Sequence, residues 1–154
     1  MSATIRHLLP AALAFSLMLG GCASTNSSVS VDELIHHTWL LASATDADGK
    51  PDTALTGGDR APIALSFHPD RMGISNACNG MGGDYQVEGD TLKVGNLMQT
   101  MMACEPVLMA REDAIKKRLQ QPLEMEIDDN ASQLILRNNA GVMIFHPSAD
   151  TTDR

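Results

Sequence analysis

The sequence predicts an α+β domain: an antiparallel, barrel-like β-sheet with one amphipathic helix packed on it. Several short segments place apolar residues at every second position, which is the period of a half-buried strand. One late segment, residues 105–121, changes to a helical period. Many short strands with a single helix indicate this class rather than a parallel α/β sheet. A chain of 154 residues has room for one such domain.

The first half of the domain is predicted to begin with a helical turn and continue as strands. Ser30 and Glu33 have the spacing of a capping box, so a short helix is expected there. Residues 38–41 read as a strand and contain the only Trp, whereas residues 46–58 are rich in Asp, Gly and Pro and predict a loop. Alternating apolar residues predict three further strands, with a turn at 89–90 between the last two: Ile63, Leu65 and Phe67; Tyr85 and Val87; Leu92 and Val94.

The predicted helix divides this half from a second group of strands. Pro106 suits the first helical turn and Pro122 ends the helix. Its apolar stripe would be Leu108, Ile115 and Leu119. Two pairs spaced by four residues are expected to form ion pairs on the outer side: Glu112 with Lys116, and Asp113 with Lys117. Alternation then returns and predicts strands at 123–127, 134–137 and 142–146.

The N-terminal segment has the layout of a secretory signal. Arg6 precedes the apolar run Leu8–Leu19, which is shorter than the roughly 20 residues that cross a bilayer as a helix. We therefore expect residues 1–21 to be a signal peptide. Residues 22–31 are mostly small and polar and predict a flexible tether, and residues 148–154 predict a disordered tail.

The end of this signal, Leu19-Gly20-Gly21-Cys22, resembles the bacterial lipobox. The resemblance implies that the Cys22 thiol receives a lipid, that the signal is removed, and that the new amine is acylated. Two or more acyl chains anchor a protein stably. Because Ala23 and Ser24 follow the Cys rather than Asp, the resemblance places the protein at the outer membrane, facing the periplasm. The alternative is an ordinary cleaved signal with an incidental Cys.

The charge balance excludes one class of partner. The chain has 11 basic and 19 acidic residues, and removal of residues 1–21 takes away one basic residue, Arg6, leaving a formal charge of −9. Nucleic acid binding depends on clustered Lys and Arg, so no nucleic acid partner is expected. The membrane would be reached through the N-terminal lipid instead of through a polybasic surface.

Cys78 and Cys104 would be the remaining cysteines after export to an oxidising compartment. We expect a disulfide between them rather than a metal site or a nucleophile. Closing a loop of this length contributes about 3.5 kcal/mol in the chain-entropy model. Two buried free thiols are the alternative.

Three segments carry a family resemblance: Ser75–Tyr85, Leu92–Gly95 and Thr100–Cys104. With Trp39, they resemble the META domain of the HslJ-like heat-inducible lipoproteins, which has a Gly-Cys-Asn…Gly-x-Tyr block and a Thr-x-Met-Ala-Cys block ahead of a helix. Ala77 stands where the family usually has Gly. The resemblance implies a META domain over residues 32–147, found in envelope or secreted proteins, linked to stress responses and without an established enzymatic activity.

The expected function is therefore support of envelope integrity or stress resistance by binding, with no catalytic residue and no cofactor. The partner would be an unidentified envelope protein, peptide or lipid, and a hydrophobic peptide or lipid would lie in the sheet's concavity. The alternative is a periplasmic Cu(I)-binding module, since thioethers suit Cu(I) and Met98, Met101 and Met102 lie near Cys104. Against it, Met is a good core filler in a chain with five aromatic residues. A Cys104-dependent hydrolase ranks last, since no nucleophile elbow or metalloprotease motif is present.

Residues 46–49 resemble the start of a calcium loop but lack the Glu at the twelfth position, so a hairpin turn is expected there and no metal site.

Overall fold

A computed structural model describes residues 29–128 and 130–149. Within them lie three helices: α1 Val31–Ile35, α2 Thr53–Thr56 and α3 Pro106–Leu119. The same residues form nine strands: β1 Thr38–Thr45, β2 Ala64–Phe67, β3 Arg71–Ser75, β4 Met81–Glu88, β5 Thr91–Val94, β6 Met98–Gln99, β7 Leu123–Ile127, β8 Leu134–Asn138 and β9 Gly141–Pro147. The predicted signal peptide, Cys22 with most of the tether, and residues 150–154 of the predicted tail lie outside the described residues.

Eight of the strands form a closed antiparallel barrel. Their order is β3-β2-β1-β9-β8-β7-β5-β4, and β4 pairs back onto β3. The short β6 pairs with the start of β4, beyond β5. The predicted α+β barrel is confirmed. Side chains alternate as the period of two requires: Leu123 and Met125 are buried in β7, and Glu124 between them is exposed.

The barrel interior is filled by the protein's own side chains. Trp39, Leu136 and Phe145 are among the fully buried side chains. At the end where β1 begins, the Trp39 indole Nε1 donates to the Leu34 carbonyl of α1 over 3.1 Å. The core therefore leaves the concavity of the sheet occupied, and the expected ligand position inside it is wrong.

The two ends of the barrel are closed by different helices. Since neighbouring strands run in opposite directions, β7 begins at the end opposite to the start of β1. α3 precedes β7 and supplies the fully buried Ile115 and Leu119, while α2 contacts α3 and buries Leu55. We call this end the loop end and the opposite end, beside α1, the entry end.

Several local predictions can be compared with these elements. The capping box is present at α1, where Ser30 and Glu33 bond reciprocally. The turn at 46–49 is confirmed, because the Asp46 carboxylate accepts the N–H of Asp48. α2 lies inside the predicted loop 46–58, and β3 was not predicted. Val29 is buried, so residues 29–31 belong to the folded domain rather than to the tether.

Every helix within residues 29–128 and 130–149 is too short or too polar to cross a membrane.

Candidate functional site

A disulfide joins Cys78 to Cys104 at the loop end of the barrel, with the two Cα atoms 5.7 Å apart. It connects the β3–β4 loop to the segment that precedes α3. The predicted pairing is confirmed, and the alternative of two free thiols is wrong. Cys22, the predicted lipidation site, lies outside the described residues.

Asn79, next to this disulfide, is a buried polar residue that fixes the segment 100–104. Its side-chain Oδ1 accepts the Thr100 hydroxyl at 2.9 Å and the Met102 N–H at 2.7 Å. Its Nδ2 donates to the Met102 carbonyl at 3.4 Å. Because one side chain satisfies both backbone groups of Met102, it holds that segment much as a neighbouring strand would. The segment is therefore held by hydrogen bonds as well as by the covalent link.

Glu112 of α3 is also buried and connects the helix to this network. Its Oε2 accepts the Asn79 N–H at 2.6 Å, and its Oε1 accepts the Gln99 Nε2 at 3.0 Å. Lys116 donates to the Gln99 Oε1 at 2.6 Å. The predicted Glu112–Lys116 ion pair is wrong, since Gln99 lies between the two charges. The predicted pair of Asp113 with Lys117 is not among the ion pairs of the described residues either.

Arg111 is the second charged residue of α3 that the fold buries. Its guanidinium donates to the carbonyls of Leu55, Ala61 and Asn76 at 3.0 to 3.2 Å. Burial, assisted by the positive charge of Arg60, lowers the Arg111 pKa from its ordinary value. The planar guanidinium of Arg111 therefore connects α3 to α2, to the α2–β2 loop and to the β3–β4 loop.

The bend before the disulfide uses a left-handed residue at Asn76, whose φ is 65°. Asn tolerates this conformation better than most side chains. Ala77, in the position where the family usually has Gly, is outside the left-handed region and packs against the core. The departure from the family pattern therefore carries no strain at that residue.

Sequence reasoning missed the buried charges of α3. Arg118 is a third one, and its Nη2 donates to the Thr45 carbonyl and to the Asp52 carboxylate at 2.8 Å. A signal was present, because Arg111 and Arg118 lie four and three residues from the apolar Ile115 and so share its face of the helix. Charges on the inner face of a helix indicate polar contacts with loops. The prediction that the charged residues of this helix lie on its outer side overlooked these contacts.

Four methionines are exposed at this end, together with Val107 of α3, and we call the four methionines the methionine surface. The exposed fractions are 67% for Met98, 95% for Met101, 61% for Met102 and 41% for Met109. Four others, Met72, Met81, Met125 and Met143, are buried in the barrel. The interpretation of methionines as core fillers is thus confirmed for the second set and wrong for the first. Met101 and Met102 belong to the segment that Asn79 and the disulfide hold in place.

Two grooves lie on the outer wall of the barrel. The larger, of about 540 Å³, is bordered by Asp70, Asp84 and Lys93. Lys93 is bonded to Glu88 at 2.6 Å. The Tyr85 hydroxyl donates to a backbone carbonyl, and burial together with Asp70 raises its pKa. The Lys93 amine and the Tyr85 hydroxyl are thus both bonded to partners within the protein.

The second groove, of about 510 Å³, lies over β7 and β8. Among the described residues, no group of three or more His, Cys, Asp or Glu side chains is arranged to hold a metal ion.

A closed antiparallel barrel, with one long helix closing one end and a disulfide that links the segment before this helix to the β3–β4 loop, defines a small α+β barrel domain. The chain belongs to the META domain family, whose model matches residues 32–150. Membership in this family indicates an envelope-related protein.

Two solved structures resemble the fold. One is a protein whose structure was determined by NMR. It is 25% identical to this chain with a TM-score of 0.61, and the match covers 81% of this chain and 99% of that protein. The other, an NMR structure of a protein from Burkholderia xenovorans, is 22% identical with a TM-score of 0.60, covering 95% and 99% respectively; it supports the fold alone. No curated protein matches the sequence.

Proposed function

We propose that this META domain protein is a lipid-anchored envelope protein that supports envelope integrity or stress resistance by binding another envelope protein, without catalysis. The methionine surface is the binding site. The observation that carries the proposal is the exposure of four methionine side chains at one end of the barrel, two of which, Met101 and Met102, lie on a segment whose backbone is fixed. Family membership and the lipobox resemblance at Cys22 support the envelope location.

The combination of exposure and fixation favours binding. Contiguous apolar surface on a soluble domain is commonly an interaction site. Methionine suits such a site because its unbranched thioether adapts to differently shaped partners. The Asn79 hydrogen bonds to Met102 and the disulfide at Cys104 order the segment before any partner arrives. A partner then loses less free energy to the ordering of this segment.

The position of the surface selects the kind of partner. A tether that begins at Cys22 would join the domain ahead of α1, on the entry end, and the seven residues 22–28, as a flexible chain, would reach only about 15 Å. The methionine surface lies at the loop end, because β6 pairs with the first residues of β4. A seven-residue strand such as β9 separates the ends by about 20 Å. With a lipid on Cys22 at the outer membrane, the surface would point into the periplasm, away from the anchoring bilayer.

The partner is accordingly an apolar segment of a periplasm-facing protein. Without the signal peptide the chain carries a formal charge of −9. Opposite charge steers association and rejects like-charged competitors. Basic residues flanking the apolar segment therefore complete the chemistry that we assign to the partner.

A photoreactive side chain placed at residue 101 tests this surface in cells. We expect a cross-linked protein adduct of defined mass at that position and none from the same group at Asp32 on α1. Met98→Gln with Met102→Gln should reduce the adduct, while the matched Leu variants should retain it. Cross-links to phospholipid, equal yields at both positions, or insensitivity to the Gln variants would contradict the proposal.

The lipid anchor has its own test. Intact mass spectrometry of the non-reduced protein should show acyl chains on Cys22 together with the disulfide. A Cys22→Ser chain that keeps its size and still fractionates with membranes would refute the anchor without affecting the binding surface.

One observation favours a second candidate, a Cu(I)-binding module. Met98, Met101 and Met102 expose three thioethers within five residues, and thioethers select Cu(I). The disulfide leaves Cys78 and Cys104 without a thiolate to contribute. Met101→Leu with Met102→Leu separates the two functions, since Leu keeps the apolar surface and removes the sulfur. Stoichiometric Cu(I) uptake by the oxidised protein, abolished in this variant, would favour the metal.

A further inference from the structure

We propose that the methionine surface is a site of oxidative modification, in which hydrogen peroxide converts Met98, Met101 and Met102 to sulfoxides while the buried methionines stay reduced. The modification makes this apolar surface polar. Its consequence, release of the bound partner, rests on the proposed function; the modification itself does not.

The structure divides the methionines into two classes of accessibility. Met101 is almost wholly exposed, and Met98 and Met102 are exposed by more than half. Met72, Met125 and Met143 are each 2% exposed or less. A peroxide molecule must contact the sulfur to react, so a buried thioether reacts only after local opening of the barrel. The same chain thus contains its own slow-reacting controls.

The reaction is a two-electron oxygen transfer. A lone pair of the thioether sulfur attacks one peroxide oxygen, the S–O bond forms and the O–O bond breaks. The second oxygen leaves as water after taking up the proton of the first, so sulfur loses two electrons and peroxide gains them. Thiolates are often the favoured targets of oxidants. Among the described residues, both cysteines are already in the disulfide, so no thiol there competes with Met101.

The fold can accept this change. Sulfoxidation replaces a flexible apolar side chain by a polar one, which disrupts a core but not an exposed position. The backbone of Met102 stays bonded to Asn79 in both directions, at 2.7 and 3.4 Å, and these bonds do not involve its sulfur. The modified surface therefore stays in place and loses its apolar character. Methionine sulfoxide reductases reverse the reaction, so the change is reversible.

Peptide mass spectrometry after graded peroxide treatment tests the modification. Using protein purified from the envelope, we expect Met101 to be oxidised at least about tenfold faster than Met125 and Met143, because the latter need local opening. The same chain unfolded in guanidinium should lose this difference. Similar rates for exposed and buried methionines in the folded protein would overturn the proposal, provided that Trp39 fluorescence shows the fold intact.

Two further readouts test the consequence. The oxidised protein should elute earlier from a hydrophobic-interaction column, and a variant with Leu at all four positions of the methionine surface, Met98→Leu, Met101→Leu, Met102→Leu and Met109→Leu, should not change its elution after peroxide. Unchanged elution of the oxidised native protein would overturn the loss of apolar character.

The cross-linking assay then separates the two proposals. Two chains are compared, and both carry the photoreactive group at residue 101. Oxidation should abolish the adduct of the chain that keeps its other methionines and spare the adduct of the chain with Met98→Leu, Met102→Leu and Met109→Leu. An adduct that persists after complete oxidation overturns the release. No adduct before peroxide overturns the proposed function, and the oxidation map then decides the modification alone.

Discussion

Replacing Glu112 by Gln isolates the contribution of the buried carboxylate to the loop end. The carboxylate accepts two good hydrogen bonds, from the Asn79 N–H at 2.6 Å and from the Gln99 Nε2 at 3.0 Å. Gln has nearly the same shape but offers only one oxygen. Whichever way its amide turns, the NH₂ group faces one of the two donors. Turning the Gln99 amide instead moves the mismatch to Lys116, which donates to the Gln99 Oε1.

The expected destabilisation follows from these contacts. One bond to a charged acceptor is lost, about 1.5–3 kcal/mol, and the other weakens to a neutral bond, about 1 kcal/mol less. The variant should therefore be less stable by about 2.5–4 kcal/mol. Asp113→Asn is the matched control, since it makes the same chemical change at the neighbouring, exposed position of α3. A change within about 0.5 kcal/mol is expected there.

Urea unfolding of the oxidised protein, followed by the fluorescence of the single Trp39, measures both variants. With a urea m-value of about 2 kcal/mol per M, the Glu112→Gln midpoint should fall by about 1–2 M at an unchanged m-value. A shift no larger than that of Asp113→Asn would refute the idea that this carboxylate fixes the loop end. A changed m-value would show instead that the compactness of one of the two states had changed.

Three further outcomes follow from the described contacts. The double variant Cys78→Ala and Cys104→Ala should lose about 3.5 kcal/mol in the same urea assay; an unchanged midpoint would contradict it. Arg111→Lys keeps the charge but not the fork, so a loss of about 2–3 kcal/mol and faster proteolysis within residues 46–63 are expected. The Ser132 hydroxyl and nearby backbone N–H groups lower the Asp128 pKa, so its stabilising effect is complete above the unfolded pKa and disappears as pH falls through the folded one. NMR titration should give a midpoint below the ordinary value, which Ser132→Ala raises.

The sequence predicted the fold where local periodicity and burial coincide. Leu123 and Met125 alternate with exposed glutamates, so β7 was readable from the pattern alone. β3 was missed, since its alternation of Met72 and Ile74 spans five residues that include Gly73. α2 was missed because Leu55, buried between the barrel end and α3, stabilises four helical residues in a segment of loop-forming composition. Tertiary packing decides both cases.

The candidate site was predictable in its covalent part only. Two cysteines in a chain with a signal-like N-terminal segment predict a disulfide. In contrast, an Asn that bonds both backbone groups of Met102 depends on where two distant segments meet. The exposure of Met101 also depends on tertiary structure. A methionine in a chain with few aromatic residues suggests a core position, but Met101 lies on the fixed segment and is exposed. Glu112 was misread because a helical surface was assumed to face solvent wherever it carries charge, and Arg111 was overlooked.

Closing β4 onto β3 has a consequence for self-association. Each of the eight barrel strands has a neighbour on both sides, so the barrel presents none of them as a bare edge for another chain to extend. Proteins with an open edge can polymerise through main-chain pairing, whatever their side chains. Here, adhesion through the eight barrel strands depends on their side chains, and chemistry that alters exposed side chains can change it without altering the backbone.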